Sequence, residues 1–405
     1  MTDAPPLYGP LSWRMPRAFL LATLISFTLS FCVYGLVILF DAVTDIDAHI
    51  GVVHRTLRGE AETPPNFLYY ELVAVLAGFS ENLSVLSWAA VILLSAATAA
   101  KTYLTMTILK AMTRDVAPKL IALMALALMV VFPIPALSNL LGLNFYLGQL
   151  PANVWHNSTT ILLMPVSLLL FYINYLYAFQ GERPLFVWVL VLGILSLFIK
   201  PSYFIALLPA TGLQLIFTYG ISRDAVRRIL PLGLGIVVMV FLYVLVFERQ
   251  VGLIQEEPSY VTLAPFVAWQ TILSSDIGIE ITPLIMGAMM LTAVLTSFAL
   301  PLGLWAAKAW PRGDGMVMSA TLGVCVAMAI YLVLAETGPR AVHGNFFWQV
   351  VVCHYILLMV LAAGVVQKIN DGALTQKLRL LLYLGGLMVL MGLLYLPRVA
   401  FQNYS

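Results

Sequence analysis

The sequence predicts an all-α, polytopic membrane protein, and three observations carry that prediction. Of the 405 residues, 61% are hydrophobic and only 10% are charged, against roughly 25% charged in soluble chains, so the charges are too few to coat a soluble domain. The apolar residues fall in runs of about 20, the length that crosses a hydrocarbon layer about 30 Å thick. Inside such a layer every backbone N–H and C=O must be bonded within the protein, which makes each run a helix.

About eleven transmembrane helices are read at residues 18–40, 84–108, 118–137, 158–179, 185–199, 201–220, 229–247, 282–307, 315–334, 349–366 and 378–396. The fifth and sixth meet at Lys200-Pro201, where proline, lacking an N–H, starts a new helix. The first run is too long for the apolar core of a cleavable signal and lacks a small-residue cleavage site. The chain is read as a single transmembrane domain, 1–405, with a first outer loop at 41–83 and, because it runs to Ser405 just past its last span, no soluble C-terminal domain.

Lysine and arginine set the expected orientation. With the N-terminus cytoplasmic, fourteen of them lie on that side, from Arg14 to Arg379, and six lie opposite: Arg55, Arg58, Lys200, Arg249, Arg340 and Arg398. Lys101 falls within the second span and is read as snorkelling. The C-terminus is then expected outside. Acidic residues, which steer topology little, gather on the outer side from Asp41 to Glu336. The long connections, 41–83, 138–157, 248–281 and 335–348, are outer too, and long loops are where function concentrates. No basic block suits nucleic acid. Cys32, Cys325 and Cys353 sit inside apolar runs and read as small core residues. No internal repeat is visible, which weighs against a transporter of inverted halves.

The first outer loop carries the densest chemistry. Ile46, Ile50, Val53 and Leu57 recur at helical spacing, which predicts an amphipathic helix at 45–58 lying along the membrane surface. Asp45 and His49 are one turn apart and share a face. Asp41, Asp45 and Asp47 could accept a proton or hold a divalent cation through oxygen ligands. Equally, Asp45 could simply cap the helix. Gly59 and Pro64-Pro65 then force a turn, and Tyr69 and Tyr70 suit an interfacial helix at about 66–79.

A span, an outer Asp41, the Asp45-x-Asp47-x-His49-Ile50 helix, Gly59, then Pro64-Pro65-x-x-Leu68-Tyr69-Tyr70 together resemble the first luminal loop of multi-spanning type C glycosyltransferases. The likeness covers about 50 residues. It implies transfer of a sugar from a polyprenyl-phosphate carrier to a glycan, lipid or protein acceptor on the outer face, with membrane lipids as surroundings. In that family an acidic residue of this loop is the catalytic base or holds the acceptor, so the resemblance gives Asp45 the principal role, with Asp47 and Asp41 in support; His49 and Tyr69 are candidates for substrate contact. The expected location is a bacterial inner membrane. Family members often carry a soluble C-terminal domain, and this chain departs from them there.

Three further outer clusters are candidates. In the second, Gln149, Asn153, His156 and Asn157 have amide and imidazole groups that suit sugar hydroxyls, while Asn157, Ser158 and Thr159 also suit a helix cap; Trp155-His156-Asn157 resembles segments of bacterial polysaccharide-assembly membrane proteins. Lys200 is either an interfacial anchor, since mid-span burial costs about 2.5–3.5 kcal/mol, or a point charge for a lipid phosphate. In the last, Arg340 and His343 could grip that phosphate above the aromatic Trp348, or Arg340 could form a rim ion pair with Glu336. Arg249 is a weaker phosphate candidate. The 248–281 segment is expected to fold partly as a surface helix. Two other classes remain open: an O-antigen or exopolysaccharide polymerase or ligase, which would depend on arginines and a histidine in large outer loops, and a transporter of lipid-linked sugars, which would need mid-span charges facing a cavity.

Overall fold

The computed structural model describes residues 11, 15–42, 44–135, 149–249, 260–267, 282–310, 314–338 and 345–401. It is all-α. Among the described residues, thirteen α-helices run in the order α1 Arg17–Leu39, α2 Asp45–Leu57, α3 Leu68–Leu76, α4 Leu83–Met112, α5 Pro118–Val130, α6 Ser158–Tyr175, α7 Phe186–Ile199, α8 Ser202–Tyr219, α9 Arg223–Tyr243, α10 Pro283–Ala306, α11 Gly315–Val333, α12 Trp348–Asn370 and α13 Gln376–Phe401. Among the described residues, nine helical stretches are long and apolar enough to cross a membrane, and α5 and α7 belong to shorter apolar helices. The protein is thus a multi-pass membrane protein.

α12 is the central post. Its membrane-length window is buried all round, and it packs on α4, α5, α6, α8, α10 and α11. Around it, α1 lies along α4, α4 along α6, and α11 along α8. α9, α10 and α13 keep large apolar side chains exposed, among them Val237, Phe241, Leu291, Leu295, Leu390 and Leu394. That surface fits hydrocarbon, as expected for a bundle whose outward faces meet lipid.

Three sequence expectations are corrected. The third span, read as 118–137, ends as a helix at Val130; thirteen residues rise only about 20 Å, and Pro133 and Pro135 bar its continuation. α9 begins at Arg223, not 229, because Ser222 caps it and Asp224 pairs with Arg228 at 2.8 Å. Lys101 does not snorkel: it is 6% exposed and donates to Asn153 Oδ1 at 2.7 Å. Within 248–281 the described residues 260–267 include a strand, Val261–Leu263, paired antiparallel with Leu334–Glu336 so that Val261 faces Glu336; residues 250–259 and 268–281, where the sequence predicts a surface helix, lie outside the described residues.

Helix α2 forms where its periodicity places it, but its apolar face is spent on the protein. Ile46, Ile50 and Val53 are buried in the common core, against α3 and α4. The cap is Thr44, whose Oγ1 accepts from Ile46 N at 3.2 Å. Asp45 is therefore not needed as the cap.

Close helix approach depends on glycine at two points. A methyl group on Gly392 of α13 would overlap the Val130 carbonyl at the end of α5, and one on Gly364 of α12 would overlap the Ala309 carbonyl. Both obstacles are backbone and cannot rotate away. Gly392→Ala is expected to destabilise by about 1–3 kcal/mol, the usual cost of overpacking. Thermal unfolding in detergent beside Gly386→Ala, where nothing lies within 4 Å of the added methyl, would check it.

Candidate active site

At one end of the bundle, polar side chains from five separate parts of the chain meet. The centre is Asn157. It caps α6, its Oδ1 accepting from Thr160 N at 3.0 Å. The same oxygen accepts from Lys200 Nζ at 2.9 Å, and Lys200 also donates to Thr159 Oγ1 at 3.2 Å. With its oxygen committed, Asn157 presents Nδ2, which donates to Asp45 Oδ2 at 2.5 Å. One amide thus joins the start of α2, the start of α6 and the α7–α8 junction.

Aromatic and imidazole rings line this centre. Lys200 Nζ lies 4.6 Å from the centroid of the Trp348 ring, at the start of α12. His156 packs edge-on to Trp348 at 5.8 Å, and its Nδ1 is 3.4 Å from Tyr395 Oη. His49, one turn beyond Asp45, contacts Ser158 Oγ through Nδ1 and packs against both Tyr69 and Tyr70, at 5.8 and 5.6 Å.

The electrostatics follow from burial opposed by neighbours. Burial alone would raise the Asp45 pKa; His156, the Asn157 amide, His49 and Lys200 outweigh it, and the carboxyl stays below its ordinary range. Asp47 moves the other way, raised by burial despite its hydrogen bond with Thr44. Burial pushes Lys200 down to about 7, against the pull of Asp45 and Glu336. Burial also lowers His156, although Asp45 draws it back up. At neutral pH the cluster therefore holds an ionised Asp45 beside a lysine poised between its charged and neutral forms. The N-terminus of α6, with its partial positive charge, opens on the same place.

The structure brings together Asp45, His49, Tyr69, His156, Asn157, Lys200 and Trp348. Asp47 is one residue from the centre, and Thr44 donates to its Oδ2 at 3.2 Å. Asp41 is exposed at the turn after α1, with φ 50°. The carboxylates of Asp45 and Asp47 face different partners, and among the described residues no group of three or more His, Cys, Asp or Glu side chains is placed to hold a metal ion. Arg249 is exposed at the end of α9, and among the described contacts none joins it to this cluster. Gln149 and Asn153 have other work: Gln149 donates to Ile134 O at 2.6 Å, and Asn153 to Leu128 O and Val131 O at 2.9 and 2.8 Å. Arg340 and His343 lie outside the described residues.

Sequence reasoning gave Glu336 only as a rim partner for Arg340, not as a neighbour of Lys200. Glu336 is 9% exposed, accepts from Asn345 Nδ2 at 2.7 Å, and acts on Lys200 through its charge. Its sequence signal for that role was an acid at the mouth of an apolar span. Tyr70, against His49, was read only as an interfacial residue. No family model matches the chain, and no curated protein matches it.

Lys200 makes a stability statement. Folded, it titrates near 7, against an ordinary value of 10.5. Between those values the unfolded chain binds more protons, so stability rises with pH across that window. The slope from this group should vanish in Lys200→Met, measured as the difference in unfolding temperature between pH 7 and pH 9 for the two proteins.

Proposed function

We propose that the chain is a membrane-embedded glycosyltransferase of the type C kind, transferring a sugar from a polyprenyl-phosphate donor to a hydroxyl acceptor on the periplasmic side of a bacterial inner membrane. Its N-terminus would be cytoplasmic. The observation that carries this reading is the convergence of Asp45, Asn157, Lys200 and Trp348 at one end of an apolar bundle. A carboxylate, a cation and an aromatic ring at one end of an apolar bundle suit a substrate that is part sugar, part phosphate and part hydrocarbon.

In this mechanism the acceptor oxygen attacks the anomeric carbon. The C–O bond to phosphate breaks, and its electron pair leaves on the phosphate oxygen. Asp45 takes the acceptor proton. A carboxylate with a low pKa does so late, once the forming bond has made that hydroxyl acidic. Asn157 fixes the orientation of Asp45. Lys200 and the N-terminus of α6 stabilise the leaving phosphate, whose negative charge also favours the protonated lysine. The Trp348 ring offers the sugar a flat apolar face. His49 and His156, on either side of Asp45, are placed for acceptor hydroxyls.

The test is sugar transfer by purified protein from a panel of labelled polyprenyl-phosphate sugars. Asp45→Asn should lower turnover by about 10²–10⁴-fold, the range for loss of a general base, without lowering the unfolding temperature. Lys200→Met should lower kcat/KM most at acidic to neutral pH, where the wild-type amine is protonated. Full activity in Asp45→Asn would remove the base from this position. Loss in Arg340→Ala or His343→Ala alongside an active Asp45→Asn would instead favour a polymerase or ligase of lipid-linked glycans.

A further inference from the structure

Two ionisable side chains lie inside the spans and away from the candidate site, and both grip the same piece of chain. α5 stops deep in the bundle, and the path back toward the site runs through residues 149–157, which are not helical. Leu150, Ala152, Asn153, Val154 and Trp155 are nonetheless buried. Non-helical backbone at such depth is tolerated only where the protein itself satisfies it, and here the spans do so. Ser297 of α10 accepts from Leu150 N at 3.0 Å. His354 of α12 meets Leu150 O through Nδ1 at 2.9 Å, which makes Nδ1 the protonated nitrogen. Lys101 of α4 donates to Asn153 Oδ1 at 2.7 Å.

Lys101 has a physical reason to be a lysine. The Asn153 amide donates to the carbonyls of Leu128 and Val131, at the C-terminal end of α5. Those carbonyls are orphaned where a helix stops, and that end carries partial negative charge. The ammonium reaches it through the polarised Asn153 amide and also lies 4.8 Å from the centroid of the Tyr355 ring. A snorkelling lysine would send its charge to the bundle's rim; this one is turned inward onto a single amide.

We infer that Lys101 and His354 are positioning residues that pin the re-entrant segment 149–157 and so set where His156 and Asn157 stand in the candidate site. Asn157 is four positions on from Asn153, a span of at most about 14 Å, so a shift at the Lys101 contact is delivered to the amide that holds Asp45. Neither side chain reaches the Asp45–Lys200 cluster through any described contact, so neither is a catalytic residue. The inference rests on reading that cluster as a functional site, and its geometry can be tested without any turnover.

The experiment reads the contact between His49 and Ser158. In a chain with Cys32→Ala, Cys325→Ala and Cys353→Ala, the pair His49→Cys and Ser158→Cys is oxidised in membrane vesicles and the disulfide yield is measured. Adding Lys101→Met or His354→Leu should lower the yield several-fold at unchanged helix content and mobility on gel filtration. His354→Asn, whose amide can donate from nearly the place of Nδ1, should restore it. Unchanged yields in folded Lys101→Met and His354→Leu would overturn the inference. Unfolding of His354→Leu and His354→Asn alike would overturn it too, since the requirement would then be for packing and not for the hydrogen bond. In the parent chain with native His49 and Ser158, both apolar variants should depress kcat far more than they raise KM, since a misplacement of about 1 Å can cost about a hundredfold in rate. If no donor supports transfer at all, the disulfide yields still decide the positioning role, while the glycosyltransferase reading fails separately.

Discussion

Inside an apolar bundle a backbone N–H or C=O without a partner is too costly to keep, and most of the polar chemistry of this protein answers to that demand. Helices meet it by themselves. Where a helix stops inside the bundle, side chains must meet it, and this explains the use of Asn153, Gln149, Ser297 and His354. Asn157 is where the structural demand and the candidate chemistry coincide. Its oxygen is taken by the cap of α6 and by Lys200, which leaves its N–H group to face Asp45. The cap fixes the amide's orientation, and the fixed amide fixes the carboxylate.

The same dryness sets the charge states at that end of the bundle. Burial works against charge on Asp45 and Lys200 alike, yet they respond differently. Asp45 is compensated by His156, Asn157, His49 and Lys200 together and stays ionised, while Lys200, drawn toward Asp45 and Glu336, is still pushed down to about 7. A group so balanced changes its proton occupancy when an anion arrives or departs. Asp47, with Thr44 as its hydrogen-bonding side chain, drifts upward. Two acids one residue from adjacency are thus shifted in opposite directions because only one faces the converging helix ends.

Much of this was legible in the sequence, for identifiable reasons. The spans are spelled in long apolar runs, and α2 in the spacing of Ile46, Ile50 and Val53, because those signals are local. Lys200 and Asn157 could be singled out as polar groups at span ends, but not as neighbours, since they are 43 positions apart in sequence. Gln149 and Asn153 looked like ligand residues because an amide that satisfies backbone has the same composition as one that binds sugar. The premature end of α5 was written in Pro133 and Pro135, hidden by apolar neighbours that continue the hydropathy of a span. The ribbon of Val261–Leu263 with Leu334–Glu336 left no trace, since three-residue strands are too short for a period to show.

The buried position of α12 bears on how the protein is made. A chain inserted from its N-terminus lays down α4, α5, α6, α8, α10 and α11 before the helix they surround has been synthesised. Until α12 arrives, Thr105 lacks the Tyr355 hydroxyl, Lys101 lacks the Tyr355 ring, and the Leu150 carbonyl lacks His354. The early bundle is therefore an open ring with polar groups turned toward a vacant centre. The contacts that close the ring can form only once α12 has been made.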